Sequence, residues 1–452
     1  MKVALINPGK TNSLFSAPLS LGYLASYARK YGKEKHDFII IDETIGQKIE
    51  KKLSEFQPDV VGVSTLTTVS KRAYEIAEFA KKQFNAKTII GGIHASVLRE
   101  KILKDSLFDV VVVGEGEQTF LELLESKNME NIKGIIYRKD SKIIQTEKRE
   151  LIKNIDMIPF PARDLMDIEF YLSRKDQIQS LNKRNINIIT SRGCPYNCVF
   201  CSVNKVFGGV VRFHSPDYVK KEITELKKYN FEALFFTDDT FTINIPRLKE
   251  ICGFIKKNNI PFFCLGRANL VNREILQMLK ESGCAEIGFG FESMSPKILK
   301  YLKKNTVTVE QNRNAVRLCK EVGLNLQSYF MIGSPNETRE DIQKTVDFID
   351  EEKIIPTIFV TTPYPGTELW DWCEENDLIP SDINWSKALF DYRSQLHASN
   401  VLTKEEVTKI FLDLLGKYTK KRSALKTLRK IILRPEVSLE TIKDYIKNKV
   451  NI

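Results

Sequence analysis

The chain has 452 residues, of which 42% are hydrophobic and 28% charged, with a formal net charge of +11. That length exceeds one ordinary core and predicts a soluble globular protein of two or three domains. No segment approaches the roughly 18 apolar residues of a membrane span, the first twenty residues lack the apolar core of a secretory signal, and eight cysteines spread over this length make no disulfide framework; a cytoplasmic protein with free thiols is expected.

From the N-terminus, short apolar runs alternate with amphipathic stretches. The runs are "VALIN" (3–7), "FIIID" (38–42), "VVGVS" (60–64), "TIIGG" (88–92) and "VVVVG" (110–114), each followed by a helix-period segment such as "SKRAYEIAEFAKKQF". Continuous Val/Ile runs of about five residues separated by helices predict a parallel sheet buried on both faces. Five such strands make a doubly wound, flavodoxin-like (Rossmann-like) domain over residues 1–150, whose ligand lies at the carboxyl ends of the strands. Polar and glycine residues stand there: Asn7 with Gly9, Asp42, Ser64 with Thr65, Gly91 with Gly92, and Gly114 with Glu115 and Gly116. Strand-to-helix turns use glycine anyway, but their recurrence at several strand ends favours a large ligand approaching the backbone closely. "IKGIIYRKDSKIIQTEK" then reads as a hairpin, and the proline-bearing "NIDMIPFPARDLMD" as the start of a linker over 151–185.

A second series begins with "INIIT" (186–190) and continues through "ALFFTD" (233–238), "PFFCLG" (261–266), "EIGFGFE" (286–292), "LQSYFMIG" (326–333) and "IIPTIFV" (354–360), with helix-patterned segments between them. Six βα units predict a partial (β/α)6 barrel of TIM type over 186–380, with its chemistry on the loops after the strands. Immediately after the first of these strands comes "SRGCPYNCVFCSV", which places Cys194, Cys198 and Cys201 on a loop with Gly193 and Pro195. Structural zinc wants a fourth Cys or His, and the nearest histidine, His214, has no companion at ligand spacing. An iron–sulfur cluster held by three thiolates leaves one iron open to a substrate or cofactor. The other five cysteines (Cys252, Cys264, Cys284, Cys319, Cys373) are isolated and read as small buried hydrophobes.

The C-x3-C-x2-C spacing, with Phe200 before the last cysteine and at the end of a first barrel strand, resembles the signature of the radical S-adenosylmethionine (SAM) superfamily. The resemblance implies a [4Fe-4S] cluster on Cys194, Cys198 and Cys201 that binds SAM through its open iron and cleaves it reductively, with an external electron donor of flavodoxin or ferredoxin type. It extends strand by strand. "FFTDDTF" offers Asp238 and Asp239 to the SAM amino group. Arg267 and Glu292, in "LGRANLVN" and "GFGFES", suit its carboxylate and ribose. "FMIGSPNETREDI" places Gly333 and Pro335 beside adenine, and Phe200 joins this SAM-binding set. "TTPYPGTELWD" is similar to the motif that closes the site.

The first half is similar to the cobalamin-binding domain that precedes the barrel in one class of this superfamily, through "PLSLGYLASYARK", "PDVVGVSTLTT", "IIGGIHAS" and "DVVVVGEGEQTFLELLE". Asn7, Ser64, Thr65, Gly91, Gly92, His94, Gly114 and Glu115 are its candidate cobalamin-binding residues, although the D-x-H-x-x-G motif that supplies a cobalt ligand in many such domains is absent. The class implies C-methylation of an unactivated carbon, in which one SAM supplies the methyl group through cobalamin and another the radical. Alternatives are a non-methylating enzyme such as a ring-forming cyclase, and a non-catalytic iron–sulfur protein. A tRNA methylthiotransferase would need a second cysteine set, and no cysteine precedes Cys194. The substrate class stays open between small molecule, lipid and peptide; nucleic acid is not the expected partner. Past residue 415 the chain carries 11 Lys or Arg against 3 acidic residues. This tail, within a mostly helical basic extension over 381–452, reads either as solvated capping helices or as a peripheral membrane contact.

Overall fold

The structure, a computed structural model, describes residues 1–9, 16–140, 142–175, 178 and 180–421. In its first part, strands β1 (Lys2–Asn7), β2 (Asp37–Asp42), β3 (Val60–Ser64), β4 (Lys87–Gly91) and β5 (Val110–Val112) run parallel in the order β2-β1-β3-β4-β5. Val3 to Ile6 have no exposed surface because helices cover both faces, which is why these strands are continuously apolar instead of alternating. The chain order reverses between β1 and β3, so a crevice opens at the strand ends there. The predicted hairpin is β6 (Ile135–Lys139) with β7 (Lys142–Gln145), and it extends the same sheet antiparallel from β5 to seven strands.

The second sheet contains β8 (Asn185–Ile188), and its loop carries a short antiparallel pair, β9 (Ser191–Arg192) with β10 (Arg212–Phe213). It continues with β11 (Ala233–Phe236), β12 (Phe262–Gly266), β13 (Cys284–Glu292), β14 (Asn325–Ile332) and β15 (Pro356–Val360). All six main strands are parallel and follow chain order, the arrangement of an open partial barrel. The five isolated cysteines are all buried.

Two expectations need correction. Residues 151–185 are packed, not loose: Ile155, Ile158 and Tyr171 join the main core, and the segment forms a helix at Ile168–Ser173. Ala162 joins the core of the first sheet, so the segment packs against both parts. The C-terminal extension is helical in its described part only from Lys404 to Lys421, with one 3-10 turn at Trp385–Lys387 before it; most of the basic tail, 422–452, lies outside the described residues. Among the described residues no helix is long and apolar enough to cross a membrane.

Candidate functional site

A cleft of about 490 Å³ lies where the strand ends of the first sheet face the start of the second. Ser64, Gly91, Gly92, Gly114 and Glu115 line it from one side, and Asn187, Ile189 and Thr237 from the other. Its wall is otherwise largely apolar, with Tyr23, Phe120 and Phe207 among its residues. A Cβ on Gly91 would meet nothing nearer than Val112 at 4.0 Å, and one on Gly114, where φ is +85°, would meet nothing within 4 Å. The turns after β4 and β5 therefore leave bare backbone along the cleft, as a broad ligand resting on a sheet edge requires.

Three of the expected residues do not line the cleft. Asn7 donates to Asp42 at 3.0 Å. Thr65 is buried, its N–H donating to the Gly91 carbonyl at 2.9 Å and its hydroxyl left without a partner. His94 is buried between Thr67, 3.2 Å from Nδ1, and the Tyr74 hydroxyl, 3.3 Å from Nε2, with the Trp385 ring against it. Burial lowers its pKa to about 4. A histidine with both nitrogens engaged and no place on the cleft wall is a packing residue here.

Glu115 is the residue whose role differs most from expectation. It lines the cleft, but both its oxygens are held: Oε1 by Arg192 at 2.9 Å, Oε2 by Arg212 at 2.7 Å and by the Ile152 N–H at 3.0 Å. Arg192 also reaches Glu117 at 2.7 Å. All four charged side chains are buried. Desolvation pushes the Glu115 pKa up, but the hydrogen bond and charge of Arg212, with those of Arg192, outweigh it and hold the carboxyl below its ordinary range.

The cysteine loop follows β9. Val199 N–H donates to the Leu302 carbonyl at 3.1 Å, and the Val199 carbonyl accepts from Leu369 N–H at 2.9 Å, so the loop is threaded between two helices, Pro296–Lys303 and Glu368–Glu375. Phe200 and Tyr301 both pack against Val199, Ile298 and Leu302 there, and the Lys303 ammonium stands 5.5 Å from the centre of the Phe200 ring. Burial raises the Cys201 pKa to about 11, with Cys198 and Cys194 among the lesser contributors, and burial likewise raises that of Cys194. Thiols in such a place ionise only with a cation against them, which is what iron supplies. Among the described residues no three His, Cys, Asp or Glu side chains converge on one ion position; a four-iron cluster takes its thiolates at separate corners and does not ask them to converge.

The strand ends of the barrel separate the two aspartates. Asp238 is fully buried and spends its oxygens on the Thr190 N–H and hydroxyl, the latter at 2.8 Å, and on the Ser191 hydroxyl. It braces β8 and is closed to a ligand. Asp239 reaches the surface beside the loop, and desolvation, then the neighbouring Asp238, raises its pKa to about 6 against a hydrogen bond from the Gly193 backbone. Arg267 is buried, stacks 3.7 Å over the Tyr196 ring, donates to Cys198 Sγ at 3.6 Å and to Thr306, and keeps its Nε–H without a partner. Glu292 sits at φ +61° just past a register shift in β13. The bulge re-aims its carboxylate, which accepts from Lys303 at 2.8 Å. A Cβ on Gly290 would lie 2.3 Å from Glu292 Oε1, so any side chain there displaces that carboxylate.

Gly333 (φ +79°) and Ser334 both donate their N–H groups to Glu337 Oε2, at 2.7 and 3.0 Å, beside the buried Pro335. Desolvation raises the Glu337 pKa to about 7 from its ordinary 4.5, and its Oε1 has no partner. The native carboxyl therefore keeps its proton up to about pH 7, while the unfolded chain gives it up near 4.5, so this group withdraws stability as pH rises between those values. The shift corresponds to about 3 kcal/mol. E337Q keeps an acceptor for both N–H groups and removes the charge. Its melting temperature is expected to equal that of the parent at pH 4.5 and to exceed it at pH 8; equal curves at both pH values would refute the assignment.

Lys303, Tyr196, Thr306, Arg192, Arg212, Glu117 and Glu337 were not foreseen. Arg192, next to the Gly193-Cys194 turn, carried the one local signal: a charged residue directly between a buried strand and a ligand loop.

Residues 188–349 match the model of the radical SAM superfamily, and residues 14–124 that of the B12-binding domain. A chain from Pyrococcus horikoshii, described as an uncharacterized methyltransferase, is 35% identical over 407 residues, covering 86% of each chain. The chain belongs to the radical SAM superfamily. As a radical SAM protein with a B12-binding domain it takes a [4Fe-4S] cluster, SAM and cobalamin as cofactors. Bacteriochlorophyllide d C-8(2)-methyltransferase of Chlorobaculum tepidum is 29% identical, over 92% of this chain and 89% of its own. In fold, the radical SAM protein resembles the solved radical SAM methyltransferase TsrM of Kitasatospora setae, with cobalamin and [4Fe-4S] cluster bound, at a TM-score of 0.69 and 19% identity over 84% of this chain and 76% of that one.

Proposed function

We propose that the protein transfers a methyl group to an unactivated carbon of a small-molecule substrate, using the cleft and the cysteine loop together. The observation that carries this reading is the shared wall: the B12-binding part contributes Gly91, Gly92, Gly114 and Glu115 to a cleft whose far side, Ile189 and Thr237, belongs to the barrel strands that lead into the cysteine loop and Asp239. When bound, the cluster with SAM supplies hydrogen-atom abstraction and cobalamin supplies the methyl group.

The chain's own part is binding, orientation and exclusion of water. Cys194, Cys198 and Cys201 hold the cluster. Arg267, with a spare Nε–H and a guanidinium fixed by Tyr196 and Thr306, takes the SAM carboxylate, for which its fork geometry is suited. Asp239, the aspartate left free, accepts from the SAM amino group; its raised pKa means that binding the cation also secures its charge. Glu292, steadied by Lys303, faces the ribose hydroxyls, and the Gly333–Pro335 backbone flanks adenine. Bare glycine backbone on the cleft wall receives the corrin.

The test is product analysis on anaerobically prepared protein holding iron, sulfide and cobalt, reduced by a flavodoxin or ferredoxin system. Methylation yields both S-adenosylhomocysteine and 5′-deoxyadenosine, with one methyl added to the substrate. Formation of 5′-deoxyadenosine alone, with the substrate converted at unchanged methyl count, would favour a cyclase-like reaction and end the methyltransferase reading.

A further inference from the structure

The carboxylates of Glu115 and Glu117 stand on the cleft wall, and each is bonded to the same guanidinium, that of Arg192. Arg192 lies two residues before Cys194. It is therefore itself on the wall of one cofactor space, bonded to both carboxylates there, and continuous in chain with the ligand loop of the other.

Little slack separates Arg192 from that loop. Gly193 adopts φ +91°, and a Cβ on it would lie 2.2 Å from the Val210 carbonyl oxygen, so its backbone is pressed against the segment that leads into β10. Arg192 pairs in register with Arg212 across β9 and β10, and Arg212 in turn holds Glu115 and the Ile152 carbonyl, both at distances of 2.7 to 2.8 Å. The loop base is also fixed from below, where Asp238 takes the Thr190 N–H and the Ser191 hydroxyl and Arg247 donates to the Thr190 carbonyl at 2.7 Å. A shift of the 114–117 turn cannot be absorbed by solvent, because all four charges are buried and leaving one unpaired is costly. What it can displace is Arg192, with Gly193 and Cys194 after it, since the anchors on Thr190 and Ser191 end before them.

The geometry points to Arg192 as a positioning residue: through the Glu115–Arg192–Glu117 bridge, filling of the cobalamin cleft sets the cysteine loop in its SAM-binding position, so that the two sites fill cooperatively. This rests on the function proposed above. A ligand resting on Gly114 and Gly116 fixes the turn that carries both carboxylates; an unfilled cleft leaves that turn free to relax and the loop with it. By reciprocity the coupling factor is the same whichever ligand binds first.

The full chain, purified anaerobically and reconstituted with iron and sulfide, provides the test. The dissociation constant of SAM is measured by equilibrium dialysis with and without saturating hydroxocobalamin. In the parent protein cobalamin is expected to tighten SAM about fivefold or more. In E117Q and R192K, at unchanged iron content, that ratio is expected to fall below about twofold, and the change that cobalamin produces in the electron paramagnetic resonance spectrum of the reduced, SAM-bound cluster is expected to disappear. A merely structural residue would weaken SAM binding equally in both conditions and leave the ratio intact. A parent ratio near one, or an undiminished ratio in E117Q, overturns the proposal while leaving the proposed function standing. If the parent binds no cobalamin or assembles no cluster, both fall. Should R192K fail to fold, E117Q decides alone, since it takes the charge out of the Glu117 arm of the bridge while the Glu115 pairs go on supporting the fold.

Discussion

Replacing Cys198 with alanine is expected to lower reductive SAM cleavage by at least about a thousandfold, some 4 kcal/mol on the barrier, while the B12-binding part keeps its cobalamin. Cys198 is the buried member of the three, and its sulfur receives the Arg267 guanidinium, so the change removes one of the three proposed cluster ligands and a partner of the group proposed for the SAM carboxylate. C194A and C201A should behave alike, because a cluster with two protein thiolates lacks the support to leave a single iron open. Iron content and 5′-deoxyadenosine formation are the measurements. Cleavage persisting near the parent rate in any one variant would overturn the assignment of the loop.

The second large effect is on stability. E115A is expected to cost about 3–5 kcal/mol, since it removes one partner from a buried set and strands charge. Arg212 loses its only carboxylate among the described residues while its Nε and one terminal nitrogen are already without partners, and the Ile152 N–H loses its acceptor. Calorimetry of the cofactor-free protein should show a clear fall in melting temperature. A fall of less than about 1 kcal/mol in stability would mean that water enters the interface and solvates the arginines. E117Q should cost less, because Arg192 keeps Glu115.

The strands were legible because burial on both faces writes itself into consecutive apolar residues, and the cysteine loop stood out because three thiols within eight residues on a loop with Gly and Pro have few other uses. What sequence could not show is which polar group at a strand end is already spent. Asp238 and Asp239 are adjacent and chemically equal; the difference lies in Thr190 and Ser191, which reach Asp238 across the sheet from the end of β8. Glu115 looked like a cleft residue, which it is, but its partners Arg192 and Arg212 are many turns of chain away. Lys303 has no local signal at all, since only the bulge at the end of β13 brings Glu292 to it. Residues 151–185 read as a linker because prolines suppress regular periodicity, and periodicity carries no information about whether an irregular chain is packed.

Trp385 lies against His94, and a Cβ on Gly366 would press within 2.4 Å of Val97, so the earliest domain is buttressed by segments near the other end of the chain. During synthesis the first sheet emerges long before those supports exist. Ala95 and Leu98 of the helix carrying His94 and Val97 pack in the first domain's own core, but the side with those two residues waits for its cover until the segments with Gly366 and Trp385 have left the ribosome. A fragment ending at residue 150 would keep that surface exposed permanently, and it would be prone to self-association for that reason.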